Sequence, residues 1–119
     1  MQIQTPGATA KSVWRRLEDY TLQIYSEDDN NDVYVTVCNI TGRGILVSIG
    51  CNKANANYDI YVKITIDGGT PIEKIWIKAG AHPYGRSQTL MAGFDTSCKV
   101  EMKGSDIIAA RFLAVTLEE

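Results

Sequence analysis

From Tyr20 onward the chain alternates apolar and polar residues with period two, the spacing that sends successive side chains to opposite faces of a β-strand. The clearest run is Tyr58 to Asp67, with Tyr58, Ile60, Val62, Ile64 and Ile66 in one phase and Asp59, Tyr61, Lys63, Thr65 and Asp67 in the other. This predicts a strand with one buried and one wetter face. It ends at Asp67-Gly68-Gly69, a tight-turn signal, so Ile72 to Ala79 reads as its hairpin partner. Ile75, Ile77 and Ala79 then face the core, and Trp76 lies between Lys74 and Lys78 on the other side.

Further strands follow the same logic. Thr21 to Ser26 is short; Val33 to Ile40 places Val33, Val35 and Val37 together; Ile45 to Cys51 does the same for Ile45, Val47, Ile49 and Cys51. Cys98, Val100 and Met102 share one face of a later strand. Loops are expected at Asp28-Asp29-Asn30-Asn31-Asp32, Thr41 to Gly44, Asn52 to Asn57, Gly80 to Ser87 and Lys103 to Asp106. Short strands at this spacing predict an all-β chain, a single β-sandwich of jelly-roll type. The one helical pattern is Ser12 to Tyr20, where Val13, Leu17 and Tyr20 share a face. At about two turns it needs docking to be stable. Residues 1–20 therefore read as an N-terminal arm or helical turn, and residues 21–119 as the sandwich.

Composition narrows the function. At 119 residues, 45% hydrophobic and 22% charged, the chain suits one ordinary globular domain. The net charge is −2 with lysines and arginines scattered singly, which argues against nucleic acid as a partner, because phosphate binding concentrates cations on one face. No apolar run reaches the length of a membrane-spanning helix. The N-terminal Met1-Gln2-Ile3-Gln4 has neither a basic nor an apolar signal region, so the expectation is synthesis in a reducing cytoplasm with free cysteines.

The candidate chemistry is sparse. His82, the single histidine, has no nucleophile or orienting carboxylate that the sequence places beside it. Cys38, Cys51 and Cys98 lack the close spacing that lets one turn present two zinc ligands; Cys51 and Cys98 alternate in phase with core residues. The acidic loop 28–32 clusters oxygen ligands without calcium-loop spacing. The glycine turns are followed by strands, not by the helix that a phosphate cradle requires. The expectation is no catalytic, metal or cofactor site and no enzymatic activity.

Surfaces carry the remaining signal. Tyr34, Tyr61 and Trp76 fall out of phase with the core beside lysines; they fit a sugar-stacking platform, a protein interface or a second packed layer. The strand Ile107 to Leu117 is apolar in both phases. Ile108, Ala110, Phe112 and Ala114 either pack against symmetry mates or belong to a central strand covered within its own chain.

Three stretches together carry a family resemblance. Gly42-Arg43-Gly44-Ile45-Leu46, Ile64-Thr65-Ile66-Asp67-Gly68 and Phe94-Asp95-Thr96-Ser97-Cys98-Lys99-Val100 resemble, in order and spacing, segments of small structural proteins of tailed bacteriophages and prophages, with Cys98 where a leucine is usual. The resemblance covers about Val33 to Leu117 and rests on turns and core strands. It implies a jelly-roll-like sandwich in a virion, often trimeric, in a tail, baseplate, fibre or capsid-decorating role, with other virion proteins as partners. A receptor-reading, carbohydrate-binding tip is the alternative. On this reading residues 1–20 attach the domain to the particle, with Trp14 as anchor and Arg15 and Arg16 seeking an acidic partner.

Overall fold

The computed structural model describes residues 13–23, 33–53, 59–80, 85–104 and 107–118. They form eight strands: β1 (Val13–Gln23), β2 (Val35–Thr41), β3 (Arg43–Lys53), β4 (Ile60–Ile66), β5 (Ile72–Ile77), β6 (Gly85–Phe94), β7 (Ser97–Lys103) and β8 (Ile107–Glu118). Two four-stranded sheets result, ordered β1-β8-β3-β6 and β2-β7-β4-β5, with antiparallel pairing throughout. The chain changes sheet at every connection except β4–β5, which makes the sandwich a jelly roll.

Crossing so often keeps the core long-range. Leu46, Ile49 and Cys51 of β3 and Ala110 and Ala114 of β8 meet Ile60 and Val62 of β4 and Cys98, Val100 and Met102 of β7. Each sheet buries one phase of its strands, as alternation requires. Small residues permit close approach where the layers are tight. At Gly44 any Cβ would run into the Val115 carbonyl and the Phe94 ring.

The β4–β5 hairpin forms at Asp67-Gly68-Gly69 as its sequence predicts, with Lys63 opposite Glu73 and Ile64 opposite Ile72. Four other expectations change. Ser12 to Tyr20 holds no helical turn: Val13 opens a strand that continues unbroken to Gln23 and pairs along β8, Leu17 opposite Ala114. A ladder to a distant strand outweighs a weak local helical pattern. The expected boundary between arm and domain at residue 20 thus falls inside β1, while residues 1–12 lie outside the described residues.

The second change is the phase of β3. A register shift between Leu46 and Ser48 appears against both neighbours. Leu46 is buried before it and Ile49 and Cys51 after it, whereas Ile45 and Val47 are half-buried. A bulge moves the inward phase by one residue, so the four residues expected on one face are divided. The third is an unexpected strand, β6, which starts at Gly85 within the segment expected to be a loop. Met91 in β6 and Ala109 in β8 take positive φ, 53° and 49°, each within a register shift against β3.

The fourth change concerns the terminal strand. β8 is central, hydrogen-bonded to β1 and β3. Ala110 and Ala114 are fully buried and Phe112 packs against the core, with Ile108 half-buried. The proposed interface of Ile108, Ala110, Phe112 and Ala114 is therefore not a free surface; covering within the chain accounts for its apolar character.

Candidate functional site

Register places the candidate residues on three distinct surfaces. On the outer face of the β1-β8-β3-β6 sheet, Trp14 stands opposite Leu117, Arg16 opposite Val115 and Glu18 opposite Leu113. Ile45 lies across from Val115 on the next strand. Trp14 is 57% exposed and Ile45, Leu113, Val115 and Leu117 are half-buried. Together they make an apolar outer face where an antiparallel sandwich usually turns polar residues to water. Trp14 borders a shallow depression that includes Gly44, Ile45 and Gly93, with Arg43 and Asp95 3.7 Å apart at its edge.

Of the expected trio Trp14, Arg15 and Arg16, only Trp14 and Arg16 share this face. Arg15 occupies the alternate position, opposite Thr116. Arg16 pairs with Glu18 at 2.7 Å. Farther along β8, Arg111 donates to the Ala109 carbonyl at 3.0 Å and to the Ser87 hydroxyl, and lies over Gly50, where a Cβ would meet both side chains.

The outer face of the β2-β7-β4-β5 sheet is of another kind. Lys103 stands opposite Tyr61 and Glu101 opposite Lys63. The Lys63 ammonium lies 4.3 Å from the Tyr34 ring centre, and Lys103 lies 4.9 Å from both Tyr34 and Tyr61. Glu101 is 3.9 Å from each of Lys63 and Lys99. The Tyr34 hydroxyl is covered and makes no hydrogen bond of sound geometry. Burial foremost, with the charges of Glu73 and Glu101, raises its pKa.

Trp76 does not belong to this face, contrary to expectation. It is 5% exposed and points between the sheets. Its indole Nε1 donates to the Arg86 carbonyl at 3.2 Å, and Arg86 Nη1 donates back to the Trp76 carbonyl at 3.0 Å. The guanidinium stacks 4.3 Å from the ring centre. The irregular pairing at the end of the hairpin explains the reversal. A register shift between Ile60 and Tyr61 puts Ile60 opposite Ile77 but Tyr61 opposite Ile75, so Ile75 turns outward, 45% exposed. The three expected aromatics therefore separate into an outer pair, Tyr34 and Tyr61, and an inner tryptophan.

Two features carried no sequence signal. Lys53 is 1% exposed at the end of β3, its Nζ donating to the Lys78 carbonyl at 2.8 Å. The second is a cleft of about 280 Å³ between β4, β5 and β6. At the end of the sandwich away from Lys53, Asp67 ties three turns together. Its Oδ1 accepts from the Asp95, Thr96 and Ser97 amides at 2.9, 2.7 and 3.1 Å, and Thr96 in turn accepts from the Gly42 amide at 2.8 Å. Those amides hold the Asp67 carboxyl down at about 2.

The three cysteines are buried and form no disulfide. Burial pushes the Cys51 thiol up to about 12, against a lowering by Arg111, and Cys98 up to about 11, with Asp67 adding to the rise. Both are thiols rather than nucleophilic thiolates at neutral pH. Among the described residues no three metal-capable side chains come together. His82 and the acidic loop 28–32 lie outside the described residues.

No protein-family model and no curated protein matches the chain. Among solved structures, a chain of the "Structure of infectious bursal disease virus Gx strain" is similar with a TM-score of 0.46 and 15% identity, over 97% of this chain and 36% of that one. The chain thus spans about a third of the length of the protein it matches.

Proposed function

We propose that this chain is a non-enzymatic structural component of a virion, in the tail, baseplate, fibre or capsid-decorating layer of a tailed bacteriophage, working by homo-oligomeric assembly and display. The observation that carries the reading is the apolar outer face built on Trp14, Ile45, Leu113, Val115 and Leu117. A sheet face of this kind is stable in water only at a cost, and aromatic and aliphatic anchors at the centre of a patch are what subunit contacts use. The jelly-roll order of the strands and the sequence resemblance to phage structural proteins support the same reading. Three copies around an axis are the arrangement that the resemblance favours.

The carbohydrate-binding reading loses its tryptophan to the interior, and its remaining rings, Tyr34 and Tyr61, lie beneath lysine ammonium groups. Assembly is therefore the better account. Quantitative mass spectrometry of gradient-purified particles from a lysate encoding the chain tests it. A fixed copy number per particle is expected; purified particles that contain none of the chain would overturn the reading.

A further inference from the structure

The β5 and β6 edges face each other across an opening between the sheets, and the side chains lining it combine in an unusual way. Ile64 and Ile66 of β4 and Leu90 and Ala92 of β6 line an apolar floor. All four are only partly covered by the core they pack against. Over this floor stand two cations that register turns inward. Lys74 is the cross-strand partner of buried Val62, and Arg86 is the partner of buried Cys51. Arg86 is fixed by the Trp76 ring and carbonyl and by the Gln88 side-chain oxygen, which accepts from its Nη2. Among the described residues Lys74 has no polar partner, and no carboxylate lies within 4 Å of either cation.

An inward lysine on an edge strand guards against edge-to-edge pairing. That role explains neither the second cation nor the half-open apolar floor. Two cations without a carboxylate partner among the described residues, set beside apolar walls, complement one kind of molecule, an anion with an apolar body. We propose that this cleft binds an amphipathic monoanion, a single alkyl chain ending in a carboxylate. The alkyl chain lies along Ile64, Ile66, Leu90 and Ala92, and the carboxylate meets Lys74 and the outer edge of the Arg86 guanidinium. The space, about 280 Å³, is nearly twice the roughly 150 Å³ cavity that takes up benzene, so it suits about a dozen heavy atoms, the size of decanoate. The site lies on the inner side of the sheets, and its occupation does not depend on the assembly reading.

Calorimetric titration of the full chain with decanoate, below micelle-forming concentration, tests the proposal. Saturable one-to-one binding is expected. Lys74→Glu, at an exposed edge position, weakens decanoate about five- to tenfold by removing one charge contact and adding a repulsion. The same variant leaves uncharged decanol binding unchanged. Ala92→Phe fills the floor and abolishes both; should it fail to fold, Lys74→Glu carries the test alone. Absence of saturation in the wild type overturns the site, as does a Lys74→Glu variant that binds decanoate with wild-type affinity. Binding to phosphatidylglycerol vesicles without binding to free decanoate also overturns it, since it would assign the cations to a membrane surface.

Discussion

The two outer faces of this sandwich are built on the same backbone plan and finished in opposite ways. One carries Trp14, Ile45, Leu113, Val115 and Leu117 along three adjacent strands; the other carries Lys63, Lys99, Lys103, Glu101 and two tyrosines. On the second face the charges pair with one another and with the rings, and its exposed aliphatic side chain, Ile75, lies on the edge strand. On the first, apolar area remains uncovered. The difference sets where the proposed assembly contact would lie: water already serves most of the charged face, whereas removing the apolar face from water releases free energy at roughly 25 cal/mol per Å².

The tryptophans sharpen this contrast most. Trp14 is an outer residue of the apolar face, and Trp76 is the inner residue of an edge strand. Trp76→Ala deletes a core aromatic together with the platform on which Arg86 stacks, and a loss of about 3–5 kcal/mol is expected in urea unfolding followed by circular dichroism. Trp14→Ala removes only exposed contacts and is expected to stay within about 0.5 kcal/mol of wild type. Equal losses from the two would erase the distinction between inner and outer tryptophan.

Next in size is the effect on the proposed assembly. Val115 sits at the centre of the apolar face, between Arg16 and Ile45. Val115→Lys is expected to cost about 2 kcal/mol of subunit contact, the scale of a central anchor, with a thermal midpoint close to wild type. The paired control is Lys63→Glu on the charged face, which should leave incorporation intact. Both are measured as chain per particle after gradient purification. A normal yield for Val115→Lys beside a reduced one for Lys63→Glu would assign the contact to the wrong sheet.

How far the sequence revealed this arrangement differs from strand to strand. β4, β7 and the Asp67-Gly68-Gly69 turn were legible because their alternation is uninterrupted and glycine marks the reversal. β3 and β5 were legible as strands but not in phase. Both contain register shifts, and a single inserted residue exchanges the inner and outer sets without altering composition; hence Ile45 and Trp76 changed sides. β6 hid because its first half, Gly85-Arg86-Ser87-Gln88-Thr89, is polar: an edge strand needs little apolar content. β1 resembled a helical turn because its partner, β8, lies about a hundred residues away and no local pattern encodes that pairing. The apolar outer face was invisible for the same reason, since it exists only once β1, β8 and β3 are side by side.

The turn-clustered end offers a smaller, pH-dependent test. Asp67, at φ 53°, uses its carboxylate to hold the β6–β7 turn. Its pKa is depressed in the folded chain, from an ordinary 3.8 to about 2. The ionised form therefore favours folding above the ordinary value, and that contribution disappears as pH falls from about 4 toward 2. Asp67→Asn, which tolerates the left-handed backbone, is expected to flatten the stability curve across this window in acid titrations of the thermal midpoint. A variant curve as steep as wild type would move the acid sensitivity to another carboxylate.

The smallest expected effect tests whether the charged face is as self-sufficient as it looks. Tyr34 lies beneath Lys63 and Lys103 with its hydroxyl covered, close to Glu73 but without a hydrogen bond of sound geometry. A buried hydroxyl in that state contributes a desolvation penalty and no compensating bond, while the ring retains its contacts with both ammonium groups. Tyr34→Phe should therefore be neutral to stabilising, by no more than about 1 kcal/mol. Tyr61→Phe removes a hydroxyl that reaches Asp59 at 3.5 Å, which at that distance is a weak bond, and should be neutral within a few tenths of a kcal/mol. Marked destabilisation by Tyr34→Phe would mean that the hydroxyl does bond, with Glu73 the acceptor already close enough to raise its pKa. The charged face would then owe part of its cohesion to a tyrosine–carboxylate contact, and its contrast with the apolar face would rest on hydrogen bonding as well as on charge.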